Sequence, residues 1–205
     1  MADSRRAQVP IEQRRRELTE TAVTVMARDG AWALTTRALA KEAGVPHGSV
    51  HYAFSSKDEL MRSVLRLDLT HLSDLVQTQQ DRPVHGPDDV TAAVAELFAA
   101  YADSVLADPK TEIAYFELSL MAARDEQLRA LAAQSHQEYR RIIVTLLSSL
   151  AERAGLRWDA DVVLVAEQAM TLMFGAALGW FELRDDALFR AVLDDAAGMV
   201  GHRLV

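Results

Sequence analysis

The sequence predicts an all-α fold of about nine helices. Three observations carry that reading. Ala (34) and Leu (26) dominate the 205 residues, and both are strong helix formers. Ile occurs only four times and alternating apolar–polar runs are nearly absent, so little favours strands. All five prolines (Pro10, Pro46, Pro83, Pro87, Pro109) lie in the first 109 residues, which leaves the other 96 free to form long helices.

The first helix spans Pro10 to Arg28. Ile11, Leu18, Ala22, Val25 and Met26 recur on one face, and Gly30 stops it. The second, Arg37 to Ala43, takes Thr35 or Thr36 as its cap and ends at Gly44. A third starts at Pro46, a residue suited to a first helical position, and runs to about Ala53. Ser56-Lys57-Asp58-Glu59 then reads as a capping box, with Ser56 as cap and Glu59 reaching back. It opens a fourth helix to about Gln79, with Leu60, Val64, Leu67, Leu72 and Leu75 apolar. Such a helix is roughly 35 Å long, enough to join two domains.

The loop from Asp81 to Pro87 precedes a fifth helix, capped by Asp88 or Asp89 and reaching about Ala107. Thr111 to Ala123 forms the sixth, and Asp125 caps a seventh that Gly155 ends. Asp159 caps an eighth, to about Leu183, and Asp186 begins a ninth, to about Arg203.

Composition excludes several functions. With no cysteine, disulfides, thiolate zinc sites and cysteine nucleophiles are impossible. The longest uncharged apolar stretch, Ala169 to Phe181, falls short of the roughly 20 residues a membrane span needs, so no membrane partner is expected. Residues 1–20 are polar and arginine-rich, unlike a secretory signal, and a cytoplasmic location is expected. The six histidines show no metal-binding spacing beyond the pair His47 and His51, and no metal or cofactor is expected. No serine-nucleophile motif or glycine-rich phosphate loop appears, so the chain does not read as an enzyme. The formal charge of −8 argues at face value against a nucleic-acid partner.

Residues 36–54, TRALAKEAGVPHGSVHYAF, reverse that inference. Two short helices crossing at a tight turn need a small residue at the contact, a glycine at the turn and apolar plugs in the angle. Ala40, Gly44, and the set Leu39, Ala43, Val45, Val50 and Phe54 supply them. His47, Ser49, His51 and Tyr52 are left on the outer side of the second helix, all able to hydrogen-bond. This is the pattern of a helix-turn-helix, whose second helix enters the DNA major groove.

With the flanks MARDGAWAL before and SSKDEL after, residues 12–65 resemble the TetR family of bacterial transcriptional regulators. The resemblance implies a helix-turn-helix DNA-binding domain at 1–56, with helix four leaving from 56, and a helical effector-binding and dimerisation domain at 57–205. It implies that Thr36 and Arg37 contact phosphate, that Gly48 lies at close approach to DNA, and that Lys57 clamps a phosphate. It leaves His47, Ser49, His51 and Tyr52 facing bases or phosphates. His51 stands where Tyr is common in the family and Ala53 where His is common, so the operator sequence is not implied. Arg5, Arg6 and the run Arg14-Arg15-Arg16 suit an arm reaching the minor groove or phosphates.

The charge divides accordingly. Residues 1–67 carry 11 basic against 8 acidic side chains, and residues 68–205 carry 11 against 22. A basic head of +3 on an acidic body of −11 predicts DNA binding that weakens steeply with salt.

A single helix-turn-helix reads few base pairs, so a homodimer on a pseudo-palindromic double-stranded operator is expected. The interface is expected on the last two helices. Gly175, Gly179, Leu178 and Phe181 form a close-approach patch, and Leu188, Val192, Ala196 and Met199 form a stripe at helical spacing. The family also implies a small-molecule effector that releases the operator. Candidate lining residues are Phe98, Tyr101, Tyr115, Phe116 and Met121, then Met170, Met173 and Phe174, with polar contacts from His71 and Tyr139. Glu112 and Glu117 would favour a cationic ligand, and helix four, carrying Lys57 and His71, would be the lever. The competing reading is a helical small-molecule-binding protein or enzyme without DNA binding.

Overall fold

The structure is a computed structural model and describes residues 10–80 and 82–205. Arg5 and Arg6 lie outside the described residues. Nine α-helices are present among the described residues: α1 (Ile11–Asp29), α2 (Thr36–Glu42), α3 (His47–Ala53), α4 (Lys57–Gln80), α5 (Pro87–Ala107), α6 (Pro109–Ala122), α7 (Glu126–Ala154), α8 (Val162–Leu183) and α9 (Asp186–Gly201). A 3-10 turn, Ala31–Ala33, follows α1 and was not foreseen.

The caps explain the boundaries. Thr35 accepts from the Ala38 N–H at 3.0 Å, and Asp125 Oδ1 accepts from Gln127 and Leu128. Three caps fall one to three residues from the expected ones: α5 is preceded by Gly86, with no side-chain cap, where Asp88 or Asp89 was expected. Asp161 caps α8 through the Val163 N–H, and Asp185 caps α9 through the Leu188 N–H. Asp159, expected to cap α8, instead pairs with Arg203 at 2.8 Å. Trp158 bridges antiparallel to Leu204, and the backbones of Arg157 and Val205 exchange two hydrogen bonds, so the chain end is tied to the α7–α8 connection.

The chain forms two units. One comprises the described residues up to Leu67 together with Lys110–Ala132; the other comprises Asp68–Pro109 and Ala133–Val205. The core of the first gathers Leu18, Met26, Leu34, Leu39, Val50, Phe54, Leu60 and Met61, joined by Leu118, Met121 and Leu131. In the second, α9 packs on α5 and α8. Val94, Phe98, Val165, Met170, Leu193 and Val200 are buried there. Gly201 sits where α9 crosses α5: a Cβ added to it would lie 2.9 Å from both Cβ and Cγ2 of Thr91.

Helices α5 and α8 are each long and apolar enough, by length and composition, to cross a membrane. The expectation that no such segment exists rested on uncharged runs alone. Core helices of soluble proteins meet the same measure, and both of these carry buried faces that pack on α9.

Candidate nucleic-acid interface

The first unit builds its platform on a buried core. Ala40 is buried at the crossing of α2 and α3, and Gly44 takes φ +63°, a conformation open to glycine, at the turn between them. The Val45 N–H donates back to the Ala40 carbonyl at 3.0 Å, closing the turn. Val50 and Phe54 plug the angle from the inner side of α3.

That packing leaves the expected contact residues outward. Arg37, His47, Gly48, His51, Tyr52 and Lys57 are exposed, and Thr36 and Ser49 are half-buried. Tyr52 is 71% exposed, a poor place for an aromatic ring unless something outside the chain meets it. Thr36 Oγ1 and His47 Nε2 lie 3.0 Å apart, a hydrogen bond whose direction the ring tautomer sets. The His47 and His51 rings meet edge to face with centroids 4.5 Å apart. Thr36, expected to reach phosphate, is thus also bonded to His47. A Cβ on Gly48 would meet nothing within 4 Å, so no side chain of the protein requires a glycine there. Among the described residues, no group of three or more His, Asp or Glu side chains is placed to hold a metal ion.

The arginine run of α1 divides three ways. Arg16 is exposed and Arg14 pairs with Glu17 at 3.2 Å. Arg15 turns inward: its guanidinium donates to the Ala53 carbonyl at 2.9 Å and to Glu59 Oε1 at 2.5 Å, and lies 5.1 Å from the Phe54 ring centroid. Glu59 Oε2 accepts from the Ser55 N–H at 2.7 Å and the Ser55 hydroxyl at 2.8 Å, while the Glu59 N–H donates to Ser56 Oγ. The capping box forms as expected, except that Glu59 reaches to Ser55 and not to Ser56. The Ser55 N–H and hydroxyl, and then Arg15, hold the Glu59 carboxyl down at about 2. At the far end of α1, Arg28 pairs with Asp29 and Glu42, which pushes its own pKa up and that of Asp29 down.

Glu117 was expected near an effector. Its carboxylate instead accepts the N–H of buried Ala31 at 2.7 Å. Neighbouring Gly30 has φ +89°, and a Cβ there would stand 3.2 Å from the same carboxylate.

The remaining candidates divide by unit. In the first, Met121 is buried and Tyr115 packs against the core, with Phe116 half-buried. In the second, Phe98, Met170 and Met173 are buried, and the Tyr101 and Phe174 rings meet edge to face with centroids 6.4 Å apart. Tyr139 is half-buried and His71 is exposed. Of the expected interface residues, Gly175, Leu178, Gly179, Leu188, Val192 and Met199 are exposed and Phe181 is half-buried. Ala196 is only 2% exposed and belongs to the core of its own unit, because it faces inward between Leu193 and Val200. An open groove of about 610 Å³, unforeseen, is lined by residues including Leu164, Glu167, Gln168, Met199 and Arg203. Its polar rim continues to His136 and Arg140 through Glu167.

A helix-turn-helix whose packed inner face leaves polar side chains exposed on the outer face of α3 defines the chain as a DNA-binding protein of the helix-turn-helix class. The family model described as "Bacterial regulatory proteins, tetR family" matches residues 18–64, and "Tetracyclin repressor-like, C-terminal domain" matches residues 85–199. The chain belongs to the TetR family and is a DNA-binding transcriptional regulator, not an enzyme. It is 28% identical over 182 residues to the HTH-type nicotine-responsive transcriptional repressor HdnoR of Paenarthrobacter nicotinovorans, covering 89% of this chain and 91% of that one. Its fold matches a TetR transcription regulator from Haloarcula marismortui with TM-score 0.74 at 19% identity, covering 95% and 100% of the two chains. It also matches the transcriptional regulator FadR from Bacillus subtilis in complex with stearoyl-CoA, with TM-score 0.69 at 16% identity and coverage of 90% and 96%.

Proposed function

We propose that this regulator is a cytoplasmic repressor that sits as a homodimer on a pseudo-palindromic operator and leaves it when a small organic effector binds. The observation that carries the reading is the outward set His47, Ser49, His51 and Tyr52 on a helix whose other face is locked by Val50 and Phe54. Arg37 and Lys57 flank that face as phosphate contacts, Thr36 adds a third, and Gly48 lets a sugar or phosphate approach the helix backbone. Residues 1–56 serve as the reading domain, and 57–205 carry the effector and dimer functions.

Dimerisation is supported by the α8 and α9 surface. Leu178, Leu188, Val192 and Met199 are large, apolar and 44–53% exposed. Gly175 and Gly179 sit mid-helix, where each costs about 1 kcal/mol against Ala, with nothing of their own chain within 4 Å of an added Cβ. A second copy packing closely on this face accounts for both. The effector is received in the second unit, around Tyr101, Phe174, Phe98, Met170 and Met173, with Tyr139 as polar contact. HdnoR, a relative, is nicotine-responsive by name. Release follows by linkage: the effector binds a dimer state that fits the operator poorly and draws the population to it.

The test is a gel-shift series with the DNA flanking the chain's own gene. A shifted band that weakens steeply as salt rises, and that Lys57→Ala or Tyr52→Ala abolishes while the protein still dimerises, supports the reading. A band indifferent to salt and to both substitutions overturns it.

A further inference from the structure

We infer that Arg15 is a positioning residue for operator recognition, coupling the end of the reading helix to the start of α4 without touching DNA. The inference rests on the proposed DNA-reading face, and on a junction that this reading does not use. Three elements meet at one guanidinium. Arg15 belongs to α1, and it bonds the Ala53 carbonyl at the last residue of α3 and the Glu59 carboxylate in the first turn of α4.

The chemistry of the junction is specific to arginine. The Ala53 carbonyl lies in the last turn of its helix and has no partner further along it. The planar guanidinium presents two N–H groups at a fixed angle, so holding both acceptors fixes the distance between them. A lysine ammonium is a point charge and imposes no such angle. Glu59 is fixed in turn, because its other oxygen holds the N–H and hydroxyl of Ser55. The guanidinium also lies over Phe54, which is 1% exposed, so the Ala53 carbonyl, Glu59 and this ring all engage it.

What the junction sets is a spacing. His47 to Tyr52 lie on α3, and Lys57 is the first residue of α4. Base contacts and the phosphate clamp therefore stand on two helices joined by only three residues, Phe54 to Ser56. Specific binding needs both sets to engage in register, whereas non-specific binding needs only positive charge near phosphate. Loosening the junction then lowers specific affinity selectively.

The experiment compares wild type with Arg15→Lys on two duplexes: one that the wild-type protein selects from a random library, and the same duplex with its half-sites scrambled. Binding is measured at several salt concentrations, at a temperature where circular dichroism shows each protein folded. Arg15→Lys is expected to lower affinity for the selected duplex about 10- to 100-fold, the span of couplings between residues in one network. Affinity for the scrambled duplex and the slope of log K against log salt stay unchanged. If Arg15→Gln, which unlike Arg15→Lys removes the charge, lowers that slope by about one per head, Arg15 is a phosphate contact and the inference is overturned. Equal losses on both duplexes, or no loss, overturn it as well. Should Arg15→Lys not fold, Glu59→Gln gives the same readout, since it removes the charge partner and retains an acceptor for Ser55. Lys57→Ala is the control: it should lower the slope and both affinities. A wild type that selects no duplex defeats the DNA-reading face itself, an outcome separate from any effect of Arg15.

Discussion

Replacing Glu117 by alanine should destabilise the first unit through a single backbone donor. The Ala31 N–H is at the start of the 3-10 turn, on a residue with no exposed surface, and the Glu117 carboxylate accepts it at 2.7 Å. A hydrogen bond to a charged group contributes about 1.5–3 kcal/mol, and a buried donor left unmade costs about 1–3 kcal/mol. Glu117 is half-exposed, so water reaches part of the vacated space and the lower half of that range applies, about 1–2 kcal/mol. For a chain of this length that corresponds to a fall in Tm of roughly 2–8 °C. The assay is urea denaturation at pH 7 and fixed protein concentration, with Glu117→Gln alongside. Glu117→Gln keeps an acceptor oxygen at the same reach and should lose less than half as much. If Glu117→Ala lies within 0.5 kcal/mol of wild type, or if the glutamine loses as much as the alanine, the tie to Ala31 does not hold the turn.

Three further outcomes follow from the same geometry. Gly201→Ala drives a methyl into Thr91 and should cost about 1–3 kcal/mol in thermal or urea unfolding, with Thr91→Ala in the same chain restoring most of it. Glu59, held at about 2 when folded and titrating near 4.5 when unfolded, contributes stability that is complete above pH 4.5 and lost as pH falls towards 2. Urea midpoints across that window should therefore fall less steeply for Glu59→Gln than for wild type. Leu178→Glu should give a folded monomer by sedimentation, whereas Ala196→Glu should fail to fold, because the first is 50% exposed and the second 2%.

Local chemistry made much of the molecule readable. Gly44 at a positive φ, the Thr35 and Asp125 caps and the Ser56 capping box all act within four residues, and each left its mark in the sequence. The outward set on α3 was legible for the same reason, since the plugs Val50 and Phe54 fix which side faces in. What sequence could not give was set by partners far along the chain. Asp159 reads as a cap until Arg203, 44 residues on, takes its carboxylate. Arg15 reads as one of three loose cations until Ala53 and Glu59 turn it inward. Glu117 reads as ligand chemistry until Ala31, 86 residues earlier, claims it. Ala196 shares the period of an exposed stripe, and only the packing of α9 on α5 and α8 decides that it faces in.

The first unit is discontinuous in the chain: it takes in Lys110–Ala132 as well as the residues before Asp68. This matters to anyone who would graft its reading head onto a foreign sensor. A splice at Leu67 looks natural, since it keeps the whole helix-turn-helix. It also discards Leu118, Met121 and Leu131 from the head's core and strips Ala31 of its acceptor. A working transplant carries Lys110–Ala132 with it, α6 and the start of α7 together, so the exchangeable module is a pair of segments and not a stretch of sequence.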